Sequence, residues 1–167
     1  MSRRMTILLF AVVAAQVIGL VVFASVRQVA LTQGREVTLQ TVPVDPRSLL
    51  QGDYAILDYE VAELPEWLRE QPVGNTIYVT LRECGDVWCA DRHDTRPPDS
   101  GKVFIRGHVD DRRRLDFGIG TFFVPEGTGR IVENARDVKV IVSLSASGNA
   151  VIKQVLVDGA PFDPDNR

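Results

Sequence analysis

The sequence predicts a mainly β domain behind an N-terminal transmembrane helix, and three observations carry that prediction. The first 26 residues contain a 22-residue run without a formal charge. Beyond it, apolar residues recur at every second position in one segment after another, the period of a half-buried strand. Clusters of Gly, Pro, Asn and Asp separate those segments. The expected architecture is a curled antiparallel sheet, a sandwich or a partly closed barrel of about seven or eight strands with one short helix.

The uncharged run extends from Met5 to Val26, and Thr6, Gln16 and Ser25 are its clearly polar members. As a helix it measures roughly 33 Å at about 1.5 Å per residue, against a hydrocarbon core of about 30 Å. A helix satisfies its own backbone groups, as lipid requires. Arg3 and Arg4 precede the run and Arg27 follows it, so the positive-inside rule places the N-terminus in the cytoplasm by a narrow margin. A cleaved signal peptide, cut after Val22 and Ala24, competes with this reading, but the run is longer than the usual h-region. A buried helix of a soluble protein fits poorly, because no polar stripe breaks the run. The expected location is therefore the inner (cytoplasmic) membrane, crossed once, with the C-terminal domain outside. The chain divides into a tail at 1–4, the span at 5–26, a polar spacer at 27–36, the β domain at 37–158 and a ragged tail at 159–167.

Strand signals follow in order. Val37 to Val44 is rich in β-branched residues and ends at Pro43 and Pro46. From Tyr54 to Val61, Ala55, Leu57, Tyr59 and Val61 share one face while Asp58 and Glu60 take the other. A helical turn is expected around Trp67. Thr76 to Glu83 places Ile77, Val79 and Leu81 inward, with Val87 to Asp91 as a return strand. Arg92 to Gly101, holding Pro97 and Pro98, is expected as a loop. Lys102 to Val109 turns Val103, Ile105 and Val109 inward and leaves a gap at Gly107. Arg114 to Val124 suggests a long strand interrupted at Gly118 and Gly120. Glu126 to Ala135 is the best helix candidate. Val138 to Leu144 and Ala150 to Val157 alternate strongly and are joined by a hairpin at Ser147-Gly148-Asn149.

Charge narrows the function classes. Without Arg3 and Arg4, residues 27–167 hold 17 basic and 22 acidic side chains, a net of −5. Such a domain is a poor nucleic-acid binder, because phosphate affinity comes from clustered Lys and Arg. The basic cluster Arg112-Arg113-Arg114 follows Asp110 and Asp111, and is expected as a solvated hairpin turn. Cys84 and Cys89, with four residues between them across a turn, read as a disulfide in an oxidising compartment. No zinc-like spacing links His93 or His108 to another ligand, and no metal or cofactor is expected.

The most unusual stretch is Pro43-Val44-Asp45-Pro46-Arg47, followed by Gly52-Asp53-Tyr54-Ala55-Ile56-Leu57-Asp58-Tyr59. Asp45 and Asp53 suit turns, Gly52 tolerates positive φ, and Arg47 can grip a carboxylate with a forked pair of donors. Gly52, Asp53, Tyr54, Leu57 and Tyr59 match the pattern that names the GDYXXLXY domain family. The later Phe117-Gly118-Ile119-Gly120-Thr121-Phe122-Phe123-Val124-Pro125-Glu126-Gly127 is similar to a second segment of that family, with Phe117 in place of a tyrosine. The resemblance covers Val37 to Val157. It implies a bacterial, membrane-associated protein that accompanies polytopic membrane proteins, and it brings no catalytic residue with it.

Asp45, Asp53 and Glu126 sit at strand-to-turn junctions beside the two motifs. If those corners meet, the three acids and Arg47 form a polar site; otherwise each acid caps its own turn or helix start. Leu49-Leu50-Gln51-Gly52-Asp53 also resembles a segment of membrane-anchored signal peptidases. Ser48 lies too close to Gly52 to be their nucleophile, and no motif places a serine for Lys102, Lys139 or Lys153 to activate. The expected function is a non-enzymatic accessory or binding module for a membrane or envelope partner. The alternative is an envelope hydrolase or small-ligand binder built on the carboxylate/Arg cluster.

Overall fold

A computed structural model describes residues 12–21, 23, 34–42, 54–125 and 135–163. Residues 12–21 are helical and solvent-exposed. Among the described residues, no helix is long and apolar enough to cross a membrane. Residues 5–11, 22 and 24–26 of the expected span lie outside that description, as do residues 126–134 of the expected second helix.

The domain is mainly β, with antiparallel pairing throughout its strands. β1 (Arg35–Val42) is an interior strand of a five-stranded sheet, completed by β3 (Asp58–Tyr59), β9 (Val138–Leu144), β10 (Ala150–Val157) and β11 (Ala160–Pro161) in the order β11-β10-β9-β1-β3. β4 (Thr76–Cys84), β5 (Val87–Asp94), β6 (Phe104–Val109) and β7 (Leu115–Asp116) make a second sheet in the order β5-β4-β6-β7. A two-stranded ribbon pairs β2 (Tyr54–Ile56) with β8 (Thr121–Phe123). The sheets curl as a half-barrel around one core that includes Leu39, Leu68, Ile77, Val79, Ile105, Val140 and Val142.

Alternation explains most of these faces. Val37 and Leu39 of β1, Ile77, Val79 and Leu81 of β4, and Ile105 and Val109 of β6 are all buried. Gly107 does leave a gap on the β6 face, and the Phe117 ring fills it. A Cβ built on Gly107 would lie 2.8 Å from Phe117 Cδ1. The 145–149 hairpin forms as expected. Its Gly148 has φ +80°, and a Cβ there would lie 2.5 Å from the Phe104 ring. Cys84 and Cys89 are joined by a disulfide at the tip of the β4–β5 hairpin, with Cα atoms 5.9 Å apart.

Several expectations need correcting. The described residues hold eleven strands rather than seven or eight. The long runs 54–61 and 114–124 break into two- and three-residue strands because each changes partner midway. Residues 92–94 belong to β5, not to a loop, and β5 carries a bulge at Asp91, opposite Thr80 and Leu81 of β4. The tail is not ragged at its start: Asp158 and Gly159 both take positive φ, and Ala160–Pro161 folds back on Val157 and Leu156. An Asp-Gly pair between apolar segments is itself a hairpin signal. Around Trp67 the chain forms a 3-10 turn, Glu66–Leu68, with Leu68 buried and Trp67 exposed.

A polar chain ties the sheets at one surface. The Gln40 amide donates to Asp137 at 2.8 Å, and the Lys139 ammonium pairs with Asp137 at 3.2 Å and with Asp86 at 2.6 Å. The hydrogen bond to Asp86, then that to Asp137, raises the Lys139 pKa.

Candidate functional site

The two motifs singled out in the sequence pair with each other. In the ribbon, Tyr54 lies opposite Phe123, Ala55 opposite Phe122 and Ile56 opposite Thr121. The pairing continues past the strands: the Leu57 N–H donates to the Gly120 carbonyl at 2.9 Å, and the Tyr59 hydroxyl donates to the Ile119 carbonyl at 2.8 Å. The Tyr59 ring then meets Phe117 edge-on at a centroid distance of 6.5 Å. Thus Tyr54, Leu57 and Tyr59 each touch the second motif. Leu57 is also the pivot at which the strand leaves β8 and turns to β1, where Tyr59 pairs with Thr41 and Asp58 with Val42.

The two tyrosines do different work. Tyr59 is buried, and its phenol is held protonated well above the ordinary tyrosine range, first by burial and then by the neighbouring Asp58 carboxylate. Tyr54 is 51% exposed and stacks edge-on with Phe123, itself 57% exposed, at 5.7 Å.

The family model for the GDYXXLXY protein matches residues 16–155, most of the chain. This chain belongs to the GDYXXLXY family. No curated protein and no solved structure matches it. The described part of the GDYXXLXY signature, Tyr54 to Tyr59, is one half of a pairing whose other half lies 60 residues later, counted from Tyr59 to Ile119.

On the face opposite Leu57 and Tyr59, Asp58 meets Arg114. Asp58 Oδ1 accepts from Arg114 Nε at 3.1 Å, from Arg114 Nη2 at 2.9 Å and from the Tyr59 N–H at 2.9 Å. Arg114 Nη2 donates as well to the Tyr59 carbonyl at 2.9 Å. This pair spans the seam between β3 of one sheet and the segment leading into β7 of the other. The expected solvated turn does form between β6 and β7, and only Arg114 departs from it. Arg114 is half-buried, and Arg113, at φ +61°, donates to the Arg69 and Gln71 carbonyls at 3.0 and 2.8 Å. Arg112 and Arg113 are both exposed.

Above the seam lies an open cleft of about 360 Å³ whose polar walls are Asp58, Asp110, Arg112, Arg114, Asp116 and Thr121. Its carboxylates hold local structure: Asp110 accepts from the Arg114 N–H at 2.7 Å, and Asp116 from the Gly118 N–H at 2.8 Å, where Gly118 takes φ +74°. Among the described residues, no three His, Cys, Asp or Glu side chains are grouped so as to hold a metal ion.

Of the sequence-derived candidates, Tyr54, Leu57 and Tyr59 come together with the second motif. Asp45, Arg47, Gly52, Asp53 and Glu126 lie outside the described residues. Sequence reasoning missed Asp58 and Arg114. Asp58 occupies an unspecified position of the motif, and its partner stands 56 residues away. The one cue was an arginine at the end of a charged turn, entering an alternating strand.

Proposed function

We infer that this protein is a membrane-anchored, extracytoplasmic β domain that binds a membrane or envelope partner and performs no chemistry of its own. In this reading residues 5–26 cross the inner membrane once, the N-terminus is cytoplasmic, residues 27–36 are a spacer and residues 37–158 stand outside. The observation that carries it is the exposure of the helical segment. Val12, Val13, Val17, Ile18, Leu20, Val21 and Phe23 are 49% to 65% exposed. Leaving side chains of this size in water costs on the order of 1 kcal/mol each, and lipid removes that cost. The Cys84–Cys89 disulfide supports an oxidising compartment for the domain.

Binding is favoured over catalysis by how the motif and cleft residues are used. Leu57 and Tyr59 hold a strand crossing, and the cleft acids accept from backbone N–H groups or from Arg114. The exposed Tyr54–Phe123 pair offers aromatic surface of the kind partners bury. A polytopic membrane protein is the proposed partner class.

Two measurements test this. A phosphatase reporter fused after Arg167 should be active on the outer side, and a cytosolic signal would overturn the topology. Crosslinking in intact membranes should trap a larger complex that Tyr54→Ser weakens. Recovery of the free monomer alone, in several detergents, would overturn the binding role.

A further inference from the structure

The start of β1 is the point of the domain tied most closely to the apolar segment. Arg35 stands nine positions after Val26, so it lies within about 30 Å of the end of the apolar run even if the connection is fully extended. At that point the surface opens into a cleft of about 630 Å³. Arg35 and Lys102 supply its cations. Pro97, Pro98, Phe104 and Leu144 supply apolar wall, and Asp99 is its one acidic lining residue.

Three features set this cleft apart on an acidic domain. Residues 27–167 carry a net charge of −5, yet the two cations here outnumber the acid. Among the described residues, neither Arg35 nor Lys102 forms an ion pair, which they share with Arg96, Arg106, Arg112, Arg113 and Arg136, but these two line one cleft together. Arg35 is also held in place by an aromatic face, its guanidinium carbon 5.3 Å from the centre of the Trp88 ring. That arrangement leaves the forked edge of the guanidinium open to an oxyanion while its face is occupied.

We propose that this cleft takes the phosphodiester of an anionic phospholipid headgroup from the outer leaflet of the membrane that holds the anchor. Arg35 donates to the phosphate, Lys102 adds a second positive charge, and the proline, phenylalanine and leucine walls shelter the glycerol end of the lipid. The domain as a whole is acidic and is repelled by the same lipid, so binding at this cleft favours one orientation. This rests on the anchored reading above, and tethering supports it by holding the cleft at high effective concentration beside the lipid.

The test uses the full-length chain with Trp67→Phe, so that Trp88 is the reporting tryptophan. The protein is placed in vesicles of phosphatidylcholine with increasing phosphatidylglycerol, and acrylamide quenching of Trp88 is read. Quenching should fall saturably as phosphatidylglycerol rises. In Lys102→Gln the phosphatidylglycerol fraction at half-effect should rise roughly five-fold, as expected for one basic side chain near an anionic surface. Quenching that ignores phosphatidylglycerol, or a Lys102→Gln curve that overlays the parent, overturns the proposal. An equal drop on adding inorganic phosphate to pure phosphatidylcholine vesicles assigns the cleft to free phosphate and overturns the lipid assignment. Flotation of the same samples separates the two layers of the argument. A protein that floats with every vesicle but shows no lipid-dependent quenching retains its anchor and loses this site, and one that floats with none loses the anchor.

Discussion

Removing one hydroxyl tests whether the pairing of the two motifs holds the fold. Tyr59→Phe keeps the buried ring and its edge-on contact with Phe117 but deletes the donor to the Ile119 carbonyl. That carbonyl then loses its partner in a site where Tyr59 is only 2% exposed. A buried hydrogen bond lost this way costs about 2 kcal/mol. For a domain of this size, with a urea m-value of about 2 kcal/mol/M, the midpoint should fall by about 1 M. The assay is urea unfolding of the full chain in detergent, followed by tryptophan fluorescence. An alkaline series adds a second readout. The folded phenol has a raised pKa, so its contribution is complete below about pH 10, where the unfolded phenol also stays protonated. That contribution is lost as pH climbs above this point, because the unfolded chain ionises first. Tyr59→Phe should lack that share of the alkaline decline. Midpoints that agree within about 0.1 M, together with identical alkaline limbs, would refute the assigned role of this hydroxyl.

Three further outcomes follow from contacts described above. Arg114→Ala should lower stability by about 2 kcal/mol by stranding the half-buried Asp58, whereas Arg112→Ala, on an exposed side chain, should stay within about 0.5 kcal/mol in the same urea assay. Gly107→Ala drives a methyl into the Phe117 ring and should cost about 2 kcal/mol, and adding Phe117→Leu should recover a share of that loss; a neutral Gly107→Ala would contradict the packing. His93 has a buried Nε2 without a hydrogen-bond partner among the described residues, and burial pushes its pKa down against the opposing pull of the Glu63 backbone and Asp94. Its neutral form is therefore favoured in the fold, so stability should drop as pH falls below about 6.5, where the unfolded chain takes up the proton first. His93→Gln should flatten that acid limb, and an unchanged limb would assign it to other groups.

Much of this fold was legible because alternation is a local property. Ala55, Leu57, Tyr59 and Val61 declare a buried face within a single short run, and all four are buried. The same holds for Ile77, Val79 and Leu81. What alternation cannot carry is the identity of the partner strand. Residues 54–59 form one uninterrupted pattern, yet the pattern is shared between β8 and β1, and nothing in the side-chain period marks the change at Leu57. The Asp58–Arg114 pair was hidden for a related reason: outward charge reads as solvated until a distant segment closes over it. The ribbon itself was hinted at, since two separated segments carried the family resemblance, but only the folded chain joins Tyr59 to Ile119. The acidic corners at Asp45, Asp53 and Glu126 were legible as a pattern of residue types, and their placement lies outside the described residues.

The six-pair register between β1 and β9, from Arg35↔Leu144 to Gln40↔Lys139, also has a mechanical consequence. In the anchored arrangement proposed above, tension would enter from the N-terminal side and reach the described domain at β1. Drawn along its own axis, β1 must slide past its neighbours, so the ladder bonds on both flanks resist together, unlike those of a peeled hairpin, which break in succession. A domain strung this way tolerates steady load at the strand that would otherwise be the first to come away.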